Sequence, residues 1–288
     1  MKFPAFDYAS PASLAEAVGL LAGRREDAML LAGGQSLMPI LAFRMASPGL
    51  LVDLKNVPGL DGIGLGADGV RLGGRVRWCD IERHAGLAEA HPLLAEGTRH
   101  IAHYQIRNRG TVGGSLALAD PAAELPGLAV TCDADLILTG PAGDRTVAAG
   151  DFFLGPMTTA LEPDEILTEL SLPAWPAGRC WGFQEFARRR GDFALAGIAL
   201  HYDRDGTGRA AGTRIGVFGA GDRPHRLQAA EAAVDGTRVD EAAIAAAAAA
   251  ASVEIDPMDD HHAPADYRRA LVGTLVERAL RQAARGQP

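Results

Sequence analysis

The chain has 288 residues, 48% hydrophobic and 22% charged, with a formal net charge of −8 at pH 7, the composition of a globular protein with room for two or three modest domains. The negative balance argues against nucleic acid or an anionic membrane as the main partner, and no apolar run approaches the ~18 residues a membrane span requires. The first residues lack the continuous apolar stretch of a secretory signal, so a cytoplasmic location is expected.

In chain order, Phe6 to Ala12 reads as an extended lead-in. A helix follows with Ser13 as N-cap and Glu16 three residues on, the spacing of a capping box, and it stops near Gly23. Ala28 to Ala32 is a short buried strand that runs into Gly33-Gly34-Gln35-Ser36. Leu37 to Arg44 then suits a helix and Leu50 to Leu54 a second apolar strand. This β–loop–α–β unit puts a glycine loop at the carboxyl end of its first strand, where ligands commonly sit in α/β sheets.

From Gly59 the texture changes. Gly62 to Gly73 looks like two short strands around Asp68-Gly69. Gly64, Gly66 and Gly69 also make a formal GxGxxG, but strand-like Val70-Arg71-Leu72 follows where a dinucleotide fold needs a helix. Asp80 to Ala90 is expected as one helix. Gln105 to Pro126 carries the second glycine-rich stretch, Gly110-Thr111-Val112-Gly113-Gly114-Ser115, where adjacent glycines suit positive φ and close approach of a ligand to the backbone. Successive N–H groups in such turns can form anion-binding concavities, so two loops converging on one phosphorylated ligand are expected.

Beyond it, Gly127 to Leu138 reads as helix then strand, Asp144 to Leu154 as β-rich, and Pro163 to Pro173 as a closing strand. Pro173 to Gly178 is the best linker. Strands over 181–187, 194–202 and 214–218 come next, then helices over 226–234, 240–252 and 264–284, the last opening on Pro264. A small antiparallel sheet followed by helices makes an α+β domain. The expected division is 1–58, 59–174 and 178–288.

Few other residues suggest chemistry. Cys79, Cys132 and Cys180 are scattered and read as buried reduced thiols, too few for a four-thiolate iron–sulfur cluster. Arg188-Arg189-Arg190 reads as a solvated face, or as a run in which one arginine orients Asp192 or docks a partner. Asp259-Asp260-His261-His262 suits a cap region for the last helix better than a metal site. Asp120 and Glu124 suit ligand contact or capping better than acid–base work. Trp78, Trp175 and Trp181 read as packing residues. With no nucleophile elbow, Walker A or HExxH pattern, the chemistry is expected to be a cofactor's.

The segments Phe6-Asp7-Tyr8 through Glu16-Ala17, Ala32-Gly33-Gly34-Gln35-Ser36-Leu37, residues 107–126, Glu165-Ile166-Leu167, residues 188–200 and residues 219–226 together resemble the FAD-binding medium subunit of the molybdenum hydroxylases. That group includes carbon monoxide dehydrogenase and xanthine dehydrogenase, and the resemblance runs nearly end to end. It implies an α+β chain: a two-subdomain FAD-binding fold of the vanillyl-alcohol-oxidase type, then a C-terminal domain of small antiparallel sheet plus helices.

The same resemblance implies non-covalent FAD, its pyrophosphate held by backbone N–H groups of Ala32, Gly33, Gly34, Gln35 and Ser36 and of Thr111, Val112, Gly113, Gly114 and Ser115. Glu124 would contact the adenosine end, Leu167 would meet the cofactor through its backbone, and Phe193 would lie near the isoalloxazine. Where relatives commonly carry a lysine ahead of the arginine run, this chain has Gln184-Glu185. The implied role is electron transfer. A large partner subunit would carry the molybdenum cofactor and a small one the two-iron two-sulfur clusters, in a dimer of heterotrimers, with electrons passing through this FAD to an external acceptor. A free-standing flavin-dependent oxidoreductase of the same fold and a FAD-free assembly scaffold are the alternatives.

Overall fold

The computed structural model describes residues 2–285. The chain begins with β1 (Asp7–Ala9), α1 (Leu14–Gly23), β2 (Ala28–Leu31), α2 (Leu37–Ala42) and β3 (Leu50–Asp53). The three strands form a parallel sheet in the order β1-β3-β2. Ala17, Val18 and Leu21 of α1 pack on Leu50 and Val52 beneath it. Ser13 caps α1, its Oγ accepting from the Glu16 amide at 3.2 Å, but the Glu16 carboxylate returns to the Ala12 amide at 2.9 Å, one residue earlier than a capping box requires.

The next part holds β4 (Ile63–Gly66), β5 (Gly69–Gly73), α3 (Trp78–Arg83), α4 (Leu87–Ala90), α5 (Pro92–Thr98), α6 (Tyr104–Arg107), α7 (Val112–Leu118), α8 (Glu124–Thr131), β6 (Asp135–Gly140), β7 (Gly143–Ala148), α9 (Ala149–Phe152), β8 (Phe153–Gly155), β9 (Thr158–Thr159) and β10 (Ile166–Pro173). Its five-stranded antiparallel sheet runs β4-β5-β10-β6-β7, and β8 pairs with β9. The single helix expected over 80–90 is two, broken where Gly86 adopts φ 86°, a left-handed conformation open to glycine and unsuited to a helix interior.

The remainder is β11 (Cys180–Phe186), β12 (Ala196–Arg204), β13 (Ala210–Phe218), β14 (His225–Arg226), α10 (Gln228–Val234), α11 (Glu241–Glu254) and α12 (Ala265–Ala284). These four strands form an antiparallel sheet in sequence order. Ile198, Leu200 and Ile215 pack against the helices through Ala230, Ala247, Val276 and Leu280. Trp181, Phe183, Ala199 and Phe218 instead join the apolar core of the preceding part, with Leu94, Leu125 and Leu128. One continuous core therefore crosses the junction. The helix expected from Arg226 starts at Gln228 because His225 and Arg226 pair with β13, and Pro264 is the N-cap of α12 rather than its first residue. No helix among the described residues is long and apolar enough to cross a membrane.

The Pro173–Gly178 connection is tied down by its tryptophan. Trp175 lies 4.6 Å from the His91 ring and 5.5 Å from the His201 ring, centroid to centroid, with the Arg179 guanidinium 5.1 Å over its own ring. Burial lowers His91 to a pKa of about 3, helped by the neighbouring His201, and lowers His201 to about 4, helped by Arg179. Both imidazoles bind a proton more readily in the unfolded chain. Their contribution to stability is therefore complete above about pH 6.5 and is lost as pH falls toward the folded values, by roughly 2 kcal/mol each between about pH 7 and 5. Relative to the parent, His201→Gln is expected to gain about that much in urea-unfolding free energy over this interval. An unchanged difference between the two proteins would contradict the assignment.

Candidate functional site

The apolar residues of β2 end at Leu31, and the chain turns through Gly34 at φ 72° into α2, whose first turn closes when the Met38 amide donates to the Gly34 carbonyl at 3.1 Å. Ser36 occupies the N-cap position, yet its side chain makes no capping bond. Among the described residues, the N–H groups of Gly33, Gly34, Gln35 and Ser36 donate to no protein acceptor. The Gln35 amide Nε2 folds back on the Gly33 carbonyl at 3.3 Å. This loop is thus a row of uncommitted donors at the carboxyl end of a parallel strand, the makings of an anion site.

The second glycine stretch lies directly against the first. A Cβ placed on Gly33 would collide with the Arg109 carbonyl oxygen and stand 2.9 Å from its carbon and 3.0 Å from Gly110 Cα. The expected convergence of the two loops therefore takes the form of backbone packed on backbone, a spacing only glycine permits.

The second stretch is built differently from the expectation. Thr111 is an N-cap, its Oγ1 accepting from the Gly114 amide at 3.2 Å, and Val112 to Ser115 form the first turn of α7. None of Gly110, Gly113 and Gly114 has positive φ. Val112 donates to Val76 O, Gly113 to Gly74 O and Ser115 to Thr111 O. Of the five residues from Thr111 to Ser115, only Thr111 keeps an N–H without a protein acceptor. Gly113 is required by space: a Cβ there would stand 2.7 Å from the Gly74 carbonyl oxygen. Gly74 in turn donates its amide to Thr168 O at 2.8 Å and packs on the carbonyl of Leu167. Leu167, buried on β10 beside a register shift, is thereby brought next to the second loop through Gly74.

Beyond α7, Asp120 closes a turn by accepting from the Ala122 amide at 2.9 Å, and Glu124 opens α8. Glu124 is 5% exposed. Burial raises its pKa to about 7, against the opposing pull of its own backbone amide and of His100. Phe193 is exposed, at 61%, on the loop between β11 and β12. That loop and the turn after α7 share a cavity of about 930 Å³ lined by Asp120, Arg188, Phe193, Gly221, Met258 and Asp260 among others. Arg188 donates to His262 O at 3.0 Å, so it anchors this loop to the segment before α12, and it forms no ion pair with Asp192. The segment itself caps: Asp260 Oδ1 accepts from the His262 and Ala263 amides, and Asp259 Oδ1 from Ala265.

Three features escaped the sequence reading. Gly74 was visible only as the second half of another Gly-Gly pair. Arg268, 6% exposed, donates to Leu195 O, Gly219 O and Asp260 and so holds the cavity's loops. Glu185 is buried beside His100.

Residues 4–175 match the family described as the FAD binding domain in molybdopterin dehydrogenase, and residues 181–283 match the CO dehydrogenase flavoprotein C-terminal domain. The chain is 41% identical to the nicotine 6-hydroxylase medium subunit of Paenarthrobacter nicotinovorans, over 98% of this chain and 99% of that one. It is 37% identical to the carbon monoxide dehydrogenase medium chain of Hydrogenophaga pseudoflava, over 97% of each. It also superposes on a solved chain of carbon monoxide dehydrogenase from Hydrogenophaga pseudoflava, in a form lacking the Mo-pyranopterin moiety of its cofactor, with a TM-score of 0.96 at 40% identity and complete coverage of both.

Proposed function

The chain belongs to the family of FAD-binding medium subunits of the molybdenum hydroxylases, and from that membership we propose that it is the electron relay of such an enzyme. In this reading it takes electrons from two-iron two-sulfur clusters on a small partner subunit, downstream of molybdenum chemistry on a large one, and delivers them to an external acceptor. A dimer of heterotrimers is the proposed assembly, with 1–58 and 59–174 as FAD-binding subdomains and 178–288 as the flavoprotein C-terminal domain.

The observation that carries the reading is the pairing of uncommitted first-loop donors with a second loop packed against them at Gly33. The residues fit a pyrophosphate: Gly33, Gly34, Gln35, Ser36 and Thr111 offer N–H groups, and the hydroxyls of Ser36 and Ser115 add neutral donors. Hydrogen bonds to a charged partner contribute ~1.5–3 kcal/mol each. Five offset an association cost of several kcal/mol, so micromolar retention, about −8 kcal/mol, requires no covalent tether. Ala32, Val112, Gly113 and Gly114 shape the cradle, Leu167 closes it through Gly74, and Glu124 and Phe193 are proposed for the adenosine and ring ends. Bound FAD supplies the electron-accepting chemistry. The chain's part is to orient it and exclude water around it.

Purification through a tag on this chain tests the assembly. Two other chains bearing molybdenum and iron are expected to accompany a yellow protein whose FAD is released by acid. A yellow chain that purifies alone and oxidises substrates unaided would favour the free-standing oxidoreductase instead.

A further inference from the structure

Arg107 ends α6, three residues before Gly110, so its backbone leads straight into the stretch whose Arg109 carbonyl and Gly110 pack against Gly33. Its side chain serves another segment. Nη1 donates to Ile101 O at 2.9 Å and to Ala102 O at 3.1 Å, while Nε pairs with Glu82 Oε1 of α3 at 3.0 Å. Ala102 needs such support. It adopts φ 43°, in the left-handed region where a residue with a Cβ is strained and persists when its surroundings hold it there. Against its carbonyl sits Gly191, left-handed at φ 88°, where a Cβ would stand 2.7 Å from Ala102 O and 3.0 Å from its carbon. Gly191 and Phe193 both line the cavity, and the Asp192 amide between them closes a turn on Arg189 O at 3.1 Å.

One carbonyl, that of Ala102, thus accepts from the Arg107 guanidinium and abuts the Gly191 backbone. We propose that Arg107 is a positioning residue for the flavin: it holds the Ala102 carbonyl as the seat of the 188–193 loop, and so fixes where Phe193 stands at the ring end of the site. The inference rests on the FAD reading above. The loop's other anchor, Arg188 on His262 O, lies within the C-terminal part. The Ala102 seat ties the loop to the part that carries the second glycine stretch, so one residue sets the pyrophosphate and ring ends of the site relative to each other. Glutamine at position 107 would reach at most one of the two carbonyls and would leave Glu82 without this cation. Ala102 then relaxes, Gly191 loses its seat, and Phe193 shifts, while the free N–H groups of Gly33 to Ser36 still hold the pyrophosphate.

The test compares Arg107→Gln, Phe193→Ala and the double variant in the full chain loaded with FAD. Visible circular dichroism and fluorescence of the bound flavin are expected to change in Arg107→Gln in the same direction as in Phe193→Ala. Once Phe193 is gone, Arg107→Gln is expected to add nothing, the non-additivity of residues that act in series. Arg107→Lys, which can still donate to the two carbonyls, is expected to restore most of the parent signal. In the flavin-free chain, trypsin cleavage after Arg188 to Arg190 is expected to speed at least about tenfold in Arg107→Gln, the fold-change for losing one charged hydrogen bond. A parent-like flavin signal in Arg107→Gln, or effects of the two substitutions that simply add, would overturn the positioning role and leave FAD binding standing. Parent-like trypsin cleavage would overturn the seat itself. A parent that binds no FAD, with cleavage still accelerated in Arg107→Gln, would overturn the FAD reading and the positioning role together and leave the seat.

Discussion

Gly33→Ala is expected to empty the chain of FAD, with affinity reduced at least about a hundredfold, ~2.7 kcal/mol, while the C-terminal sheet and helices stay folded. The added methyl has nowhere to go. It would meet the Arg109 carbonyl and Gly110 Cα, backbone atoms of the neighbouring loop, so relief requires the two loops to separate. Overpacking of this kind costs about 1–3 kcal/mol, and the separation also moves the free N–H groups of Gly33 to Ser36 away from Thr111. Gly114 is a milder site although the motif ranks it equally: a Cβ there meets only the Thr111 hydroxyl, at 2.8 Å. The ratio of flavin to protein absorbance, read beside circular dichroism, checks the prediction. Parent-like flavin content in Gly33→Ala would sink the loop assignment.

Arg268→Leu is expected to destabilise the C-terminal part by about 2–4 kcal/mol, from two carbonyls that lose a buried donor at about 1–3 kcal/mol each, and to lower its melting temperature on the order of 10 °C. The guanidinium donates to Leu195 O at 2.6 Å, Gly219 O at 2.7 Å and Asp260 Oδ2 at 2.8 Å. Removing it orphans two carbonyls at once, and an unsatisfied buried group costs about 1–3 kcal/mol; the half-exposed Asp260 keeps its two amide donors and water. Because Leu195 and Gly219 bound the cavity that Phe193 lines, proteolysis within 188–193 is expected to accelerate in step with the drop in melting temperature. A melting temperature within about 2 °C of the parent would show that the network contributes little.

Much of this was legible in the sequence where the cause is local. Ser13 and Asp240 announce helices because a short oxygen-bearing side chain satisfies an orphan amide. Gly34 announces a turn because it needs positive φ. The second glycine stretch was legible as a candidate site but not as a structure. Its glycines look like turn residues, whereas Gly113 sits in a helix and is glycine because Gly74 lies against it, a contact from distant sequence. The break between α3 and α4 was masked by a pattern apolar enough for one helix. Glu185 was legible only as a departure, standing with Gln184 where relatives commonly carry a lysine; its burial beside His100 is set by the tertiary fold.

The central claim, that the two glycine loops together hold FAD without a covalent bond, is tested most directly by acid precipitation of the purified chain followed by FAD titration of the renatured protein. About one FAD per chain in the acid supernatant, and rebinding at micromolar concentration or below, is the predicted result. Flavin that stays with the precipitate, or a chain that neither carries nor rebinds FAD, would contradict it.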